Sequence, residues 1–251
     1  MKFSVTNPNH AYFSVKEKRM RIRIPYIGLL LQLFISVLFA QEKLYVFYPS
    51  TARPQAIQDK MQENFPGVTV TVFGRFNDFT TKIDLEPPDA ILTKPALVKQ
   101  LANYSPAVQG SRDGKTVETY VLLSINGPVD LSTVNAETVI GVFDILGRAG
   151  MNTFANQFFP TVPKLKRVTK VEDLLPLLTF NMAAAILIED ATVSFFKSTS
   201  NLTFSITPLP ATTDGIAALG IRTGCKADKS AASLKKADKE TSSFFKVDLW
   251  K

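Results

Sequence analysis

From residue 41 onward the chain alternates between short apolar runs, rich in β-branched and aromatic residues, and stretches where apolar residues recur every three or four positions. Leu44–Tyr48 (LYVFY) and Val68–Phe73 (VTVTVF) read as strands. Between them, residues 53–65 place Ile57, Met61 and Phe65 at helical spacing, and Pro66-Gly67 marks the turn back. Asp89–Leu92 (DAIL) predicts a short buried strand, Pro95 opens a helix, and Val117–Ile125 predicts a further strand. The pattern then restarts: strand 138–143, helix 149–159, strand 166–169, helix 171–180, buried strand 183–188 (AAAILI), helix 191–197, and strands at 202–207 and 215–221. Strands separated by helices imply βαβ units and mainly parallel sheets. Two such blocks, each too small for a full doubly wound domain, predict an α/β fold of two small lobes facing a cleft. The first lobe is expected at 41–125 and the second at 126–214. Residues 215–251 should return to the first, because Phe244, Phe245, Leu249 and Trp250 give the C-terminus an apolar face to dock.

The first 40 residues have a different character. Residues 24–40 (IPYIGLLLQLFISVLFA) carry no charge, follow Lys16, Lys18, Arg19, Arg21 and Arg23, and precede polar Gln41-Glu42-Lys43. A basic flank, an apolar stretch and a final Ala40 make the pattern of a secretory signal peptide, so export of the remainder from the cytoplasm is expected. The alternative is an uncleaved membrane anchor formed by 24–40, a length at the short limit for spanning.

Charge follows the same division. Residues 1–40 hold six of the 29 basic residues and one of the 22 acidic ones, so the formal net charge of +7 falls to +2 over 41–251. A nucleic-acid partner is therefore not expected, since such proteins concentrate positive charge on the folded domain. The single histidine, His10, lies in the leader, and Cys225 is the single cysteine. Residues 41–251 thus lack the imidazole of a Ser-His-Asp triad or a Cys-His pair, and the residues for a His- or Cys-ligated zinc site. No catalytic residue, metal site or cofactor is expected. Carboxylate chemistry by Asp78, Glu189 or Asp190 is the one enzymatic route left open.

In open parallel sheets, ligands collect beyond the carboxyl ends of strands. Ser50 and Thr51 follow the first strand, where hydroxyls and helix N–H groups suit an anion, or where one of them simply caps the helix. Arg75 and Phe76 follow the second strand and offer a bidentate donor and a flat apolar wall. Thr93 ends DAIL, where its hydroxyl reaches the cleft or caps the helix before Pro95. Gly147-Arg148-Ala149-Gly150 joins strand to helix, with Gly150 permitting close backbone approach and Arg148 expected to face the first lobe's four loops. Glu189-Asp190 ends AAAILI, and these carboxylates either bind an amine or favour the start of the next helix.

This organisation resembles the type II periplasmic solute-binding proteins, especially those associated with phosphate, phosphonate and related oxyanion uptake. The likeness rests on the exported N-terminus, Leu44–Ser50 opening the first lobe, Pro88–Ile91, and the strand Glu118–Ile125 as one crossing segment. Val139–Gly147 with Arg148-Ala149-Gly150 and Ala217–Ile221 as the return crossing complete it. The resemblance implies two lobes joined by two crossing strands, and a small polar or anionic solute enclosed between them. It also implies a monomeric receptor that delivers the solute to the permease of an ABC importer. A chain shorter than typical members supports an alternative, a periplasmic partner of a membrane sensor with a degenerate cleft.

Overall fold

The structure, a computed structural model, describes residues 41–212 and 214–251; the expectations for 1–40 lie outside the described residues. The first sheet carries β1 (Glu42–Phe47), β2 (Val68–Phe73), β3 (Ala90–Thr93), β4 (Tyr104–Ser111), β10 (Ala218–Arg222) and β11 (Leu249–Trp250), in the order β11-β4-β10-β3-β1-β2. Its helices are α1 (Pro54–Asn64), α2 (Phe76–Leu85), α3 (Pro95–Gln100), α7 (Asp228–Lys235) and α8 (Lys239–Ser243). The second sheet carries β5 (Tyr120–Ser124), β6 (Val139–Phe143), β7 (Lys164–Val168), β8 (Ala185–Glu189) and β9 (Ser205–Pro208), in the order β7-β6-β8-β5-β9. Helices α4 (Gly147–Ala155), α5 (Leu174–Thr179) and α6 (Val193–Thr199) belong to it.

Both sheets are mixed rather than mainly parallel. β1 runs parallel to β2 and β3, but β10 enters antiparallel between β3 and β4; β5 likewise enters antiparallel beside β8. These inserted strands are the ones that follow each crossing between the lobes, so the chain enters each sheet from its far side. The crossing itself is made by the backbone flanking a β-bridge between Val117 and Gly215, where Glu118 N–H donates to Asp214 C=O at 2.9 Å. Tyr120–Ser124 pairs within the second sheet, so the first lobe's sheet ends before it and not at residue 125.

Period-2 alternation divides every central strand between two cores. On β1, Leu44 and Val46, with Tyr48 just beyond it, pack with α1, Phe245 and Trp250, while Tyr45 and Phe47 face the other way. On β5, Val121 and Leu123 join Leu174, Leu177 and Phe196, while Tyr120 and Leu122 face the other way. The two inward faces merge into one apolar cluster spanning both lobes. In it Phe47 stacks on Phe143 with centroids 5.9 Å apart. The C-terminus is fastened at both ends of its path. Glu42 on β1 accepts the N–H groups of Lys229 and Ser230 at 3.1 and 2.7 Å, at the electropositive start of α7, and β11 pairs with β4.

Candidate functional site in the interlobe cleft

Three strand ends converge where the sheets meet. Lys94 follows β3, Glu189 is the last residue of β8, and Tyr48 follows β1. Lys94 is only 2% exposed and is the residue before α3, which Pro95 opens. Its ammonium reaches Glu189 Oε1 at 2.7 Å and Glu118 Oε2, on the first crossing segment, at 3.1 Å. It also lies 5.2 Å from the Tyr48 ring centroid and 5.8 Å from that of Tyr120, within cation–π range. The other oxygen of Glu189 accepts from Lys246, whose ammonium donates as well to Thr192 Oγ1 at 2.6 Å. Lys246 has φ of 54°, a left-handed turn just beyond α8, closed by Val247 N–H donating to Ser242 C=O at 3.2 Å. Arg112 completes the cluster, donating to Glu118 Oε1 at 2.6 Å and to the Lys246 carbonyl at 3.2 Å.

Burial and attraction oppose each other in this cluster, and attraction wins. Burial alone would neutralise Lys94, yet Glu189 leads the partners that hold its pKa well above 10.5. Burial would likewise raise Glu189, but Lys246 and Lys94 bring it down to about 2. Each carboxylate oxygen of Glu118 and Glu189 has a lysine or arginine partner. The apolar hollow beside them, lined by Val142, Phe143, Met151 and Phe154 among others, leaves about 60 Å³ for an occupant, space for a few waters.

A larger pocket of about 710 Å³ opens next to it and shares Phe143 as a wall. The first lobe contributes Ser50, Thr51, Arg53, Arg75 and Asp78, and the second contributes Lys170 and Glu172. Helices α1 and α2 begin at its edge, and neither has a side-chain cap, so their first N–H groups keep their donor capacity.

Of the residues singled out in the sequence, Ser50, Thr51 and Arg75 meet in this pocket. Ser50 does not cap α1: its hydroxyl accepts from Ala52 N–H at 3.2 Å, a local turn. Phe76 and the Gly147–Gly150 run lie where the lobes touch, outside the pocket of Ser50, Thr51 and Arg75. A Cβ on Gly147, which has φ of 70°, would come 2.8 Å from the Phe76 ring, and one on Gly150 would come 2.6 Å from the Gln100 amide oxygen. With these small residues pressed on the first lobe, Arg148 beside them is exposed and does not line the pocket of Ser50, Thr51 and Arg75, contrary to the expected facing arrangement. Thr93 is fully buried with its hydroxyl unpartnered and caps nothing. Both readings of Glu189-Asp190 hold: Glu189 stands at the start of the 3-10 turn 190–192 that leads into α6, with Asp190 in its first turn, and the Glu189 carboxylate binds two amines, both of them the chain's own. Lys94, Glu118, Lys246 and Arg112 escaped the sequence reading. The sole local hint was a lysine wedged between an apolar strand and a proline, ILTKP. Among the described residues no group of three or more His, Cys, Asp or Glu side chains could hold a metal ion. Among those residues, too, no helix is long and apolar enough to cross a membrane.

No protein-family model matches the sequence, and no curated protein matches it either. Solved structures do. A Xanthomonas citri protein, XAC2383, bound to ATP, aligns with TM-score 0.55 and 11% identity over 84% of this chain and 90% of that one. An amino acid ABC transporter substrate-binding protein from Streptococcus pneumoniae, bound to L-arginine, aligns with TM-score 0.54 and 11% identity over 87% and 95%. The VFT2 domain of Bordetella pertussis BvgS aligns with TM-score 0.53 and 13% identity over 85% and 95%. The fold of this chain is that of the two-lobed periplasmic binding proteins; the solutes belong to those other proteins.

Proposed function

We propose that this chain is a solute-binding receptor of the periplasm, exported by residues 1–40, that holds a small polar solute between its lobes and presents it to an ABC importer. The observation that carries this reading is the pocket of about 710 Å³ with walls from both lobes, within the roughly 300–1,000 Å³ usual for ligand sites. Arg53, Arg75 and Lys170 outnumber Asp78 and Glu172 there, and two uncapped helix starts add donors, which favours an anionic group such as an oxyanion or carboxylate. Ser50, Thr51 and Arg75 are the proposed contacts.

Calorimetric titration with oxyanions, amino acids and polyamines tests it. One class should give saturable heat, and Arg75→Ala should weaken that binding about ten- to a hundredfold, the loss of roughly 1.5–3 kcal/mol for a hydrogen bond to a charged group. No heat with any class overturns the reading. The filled inner cleft favours a second reading, a partner of a membrane sensor; co-purification with a sensor kinase and with no permease would select it.

A further inference from the structure

The inner cleft has the chemistry of a site for a primary amine. Two carboxylates, Glu118 and Glu189, and two tyrosine rings, Tyr48 and Tyr120, surround one point from both lobes and from the crossing segment. The ammonium at that point belongs to the chain. We infer that Lys94 is a built-in occupant of this amine site and holds the lobes shut without any solute.

The bonds that cross the cleft show how. Lys94 sits on the first lobe and Glu189 on the second; Lys246, on the segment that returns to the first lobe, takes the other oxygen of the same carboxylate. Glu189 is therefore clamped by two ammonium groups from across the cleft. The side chains of Lys94, Glu118 and Glu189 are at most 6% exposed. Pulling the lobes apart separates both lysines from Glu189 and leaves Lys94 to Glu118 alone. Closure in a two-state receptor is driven by whatever binds the closed form better than the open one, and a tethered group does so at high effective concentration. The space left beside Lys94, about 60 Å³, is too small for a free amino acid or a polyamine. A solute in the larger pocket thus meets lobes already closed.

Spin labels on the exposed positions Leu85 of the first lobe and Phe180 of the second, 78% and 72% accessible, report the lobe separation. They are introduced as cysteines with Cys225→Ser, and the protein is refolded from denaturant into triethanolamine–chloride buffer, which carries neither an oxyanion nor a primary amine, to strip any solute. The otherwise unaltered chain should give one narrow, short distance distribution, and Lys94→Ala should shift it to longer, broader distances. n-Butylammonium chloride should return Lys94→Ala to the narrow distribution, while sodium chloride at equal ionic strength should not. A long or broad distribution with Lys94 present overturns the inference, and that arm decides even if Lys94→Ala fails to fold. So does a Lys94→Ala variant that stays shut, or one that the amine does not close. The measurement contains no solute for the larger pocket, so its result is independent of whether that pocket binds anything.

Discussion

Two glutamates in this protein have the same immediate surroundings and opposite settings. Glu189, in the cleft, has one lysine on each carboxylate oxygen, Lys94 and Lys246. Glu86, at the end of α2, has Lys43 on one oxygen and Lys82 on the other. Hydrogen bonds to Lys43 and Lys82 hold Glu86 at about 2, and Lys246 and Lys94 hold Glu189 at about 2 against its burial. Yet the side chain of Glu86 is 45% exposed and that of Glu189 is 6% exposed. Water can replace either lysine at Glu86, while nothing replaces them at Glu189. A shared pKa therefore describes local charge balance, and burial decides whether the fold depends on it.

The largest consequence concerns the buried member. Glu189→Gln keeps the shape but strands two ammonium groups in the cleft, and breaking a buried pair this way typically costs about 3–5 kcal/mol. The urea midpoint, followed through the single tryptophan, Trp250, which is buried in the first lobe, should fall accordingly. A midpoint within experimental scatter of the parent would mean that water already reaches the cluster, and the contrast between the two glutamates would collapse.

Acid should erase that difference in a defined window. A carboxylate whose folded pKa is depressed stabilises the fold above its unfolded value, near 4.3, and loses that contribution as pH falls through the folded value. With the folded value at about 2, the gap between parent and Glu189→Gln should be full at neutral pH and shrink from pH 4.3 toward 2. Denaturation curves at pH 7, 4 and 2.5 check this. A gap that widens on acidification would reverse the sign and remove Glu189 as the group responsible.

The same contrast explains what was legible in the sequence. Strands such as LYVFY and AAAILI announced themselves because both their faces are apolar, VTVTVF by its strict Val–Thr alternation, and the two-block pattern yielded the two lobes. Strand β4 did not, since Pro106 and Gly110 interrupt it. Pro106 is tolerated because it sits opposite the register shift in β10, on a stretch that β11 does not pair. Helix α2 was missed although Phe76, Phe79 and Ile83 stand at helical spacing, because Gly74-Arg75 before it reads as loop. The mixed pairing was hidden too, since strand direction depends on where the chain crosses between lobes. Least legible was the charged cluster. Lys94, Glu118, Glu189 and Lys246 lie on four separate segments, and a lysine's burial depends on carboxylates that only folding brings to it.

The smallest effect is expected at Glu86, and salt distinguishes it. Glu86→Gln keeps the backbone bond that closes α2, Glu86 N–H donating to Lys82 C=O at 2.9 Å, so little beyond the two ion pairs is lost. Those pairs face solvent, where the Debye length shrinks from about 30 Å at 0.01 M salt to about 3 Å at 1 M. At 0.01 M the variant's urea midpoint should lie slightly below that of the parent, and at 1 M sodium chloride the two curves should coincide. The Glu189→Gln gap should persist at both concentrations, because ions do not enter the cleft to screen it. If the Glu86 gap also survived 1 M salt, Lys43 and Lys82 would be holding that carboxylate as firmly as the cleft holds Glu189. Exposure would then not be the variable that separates them.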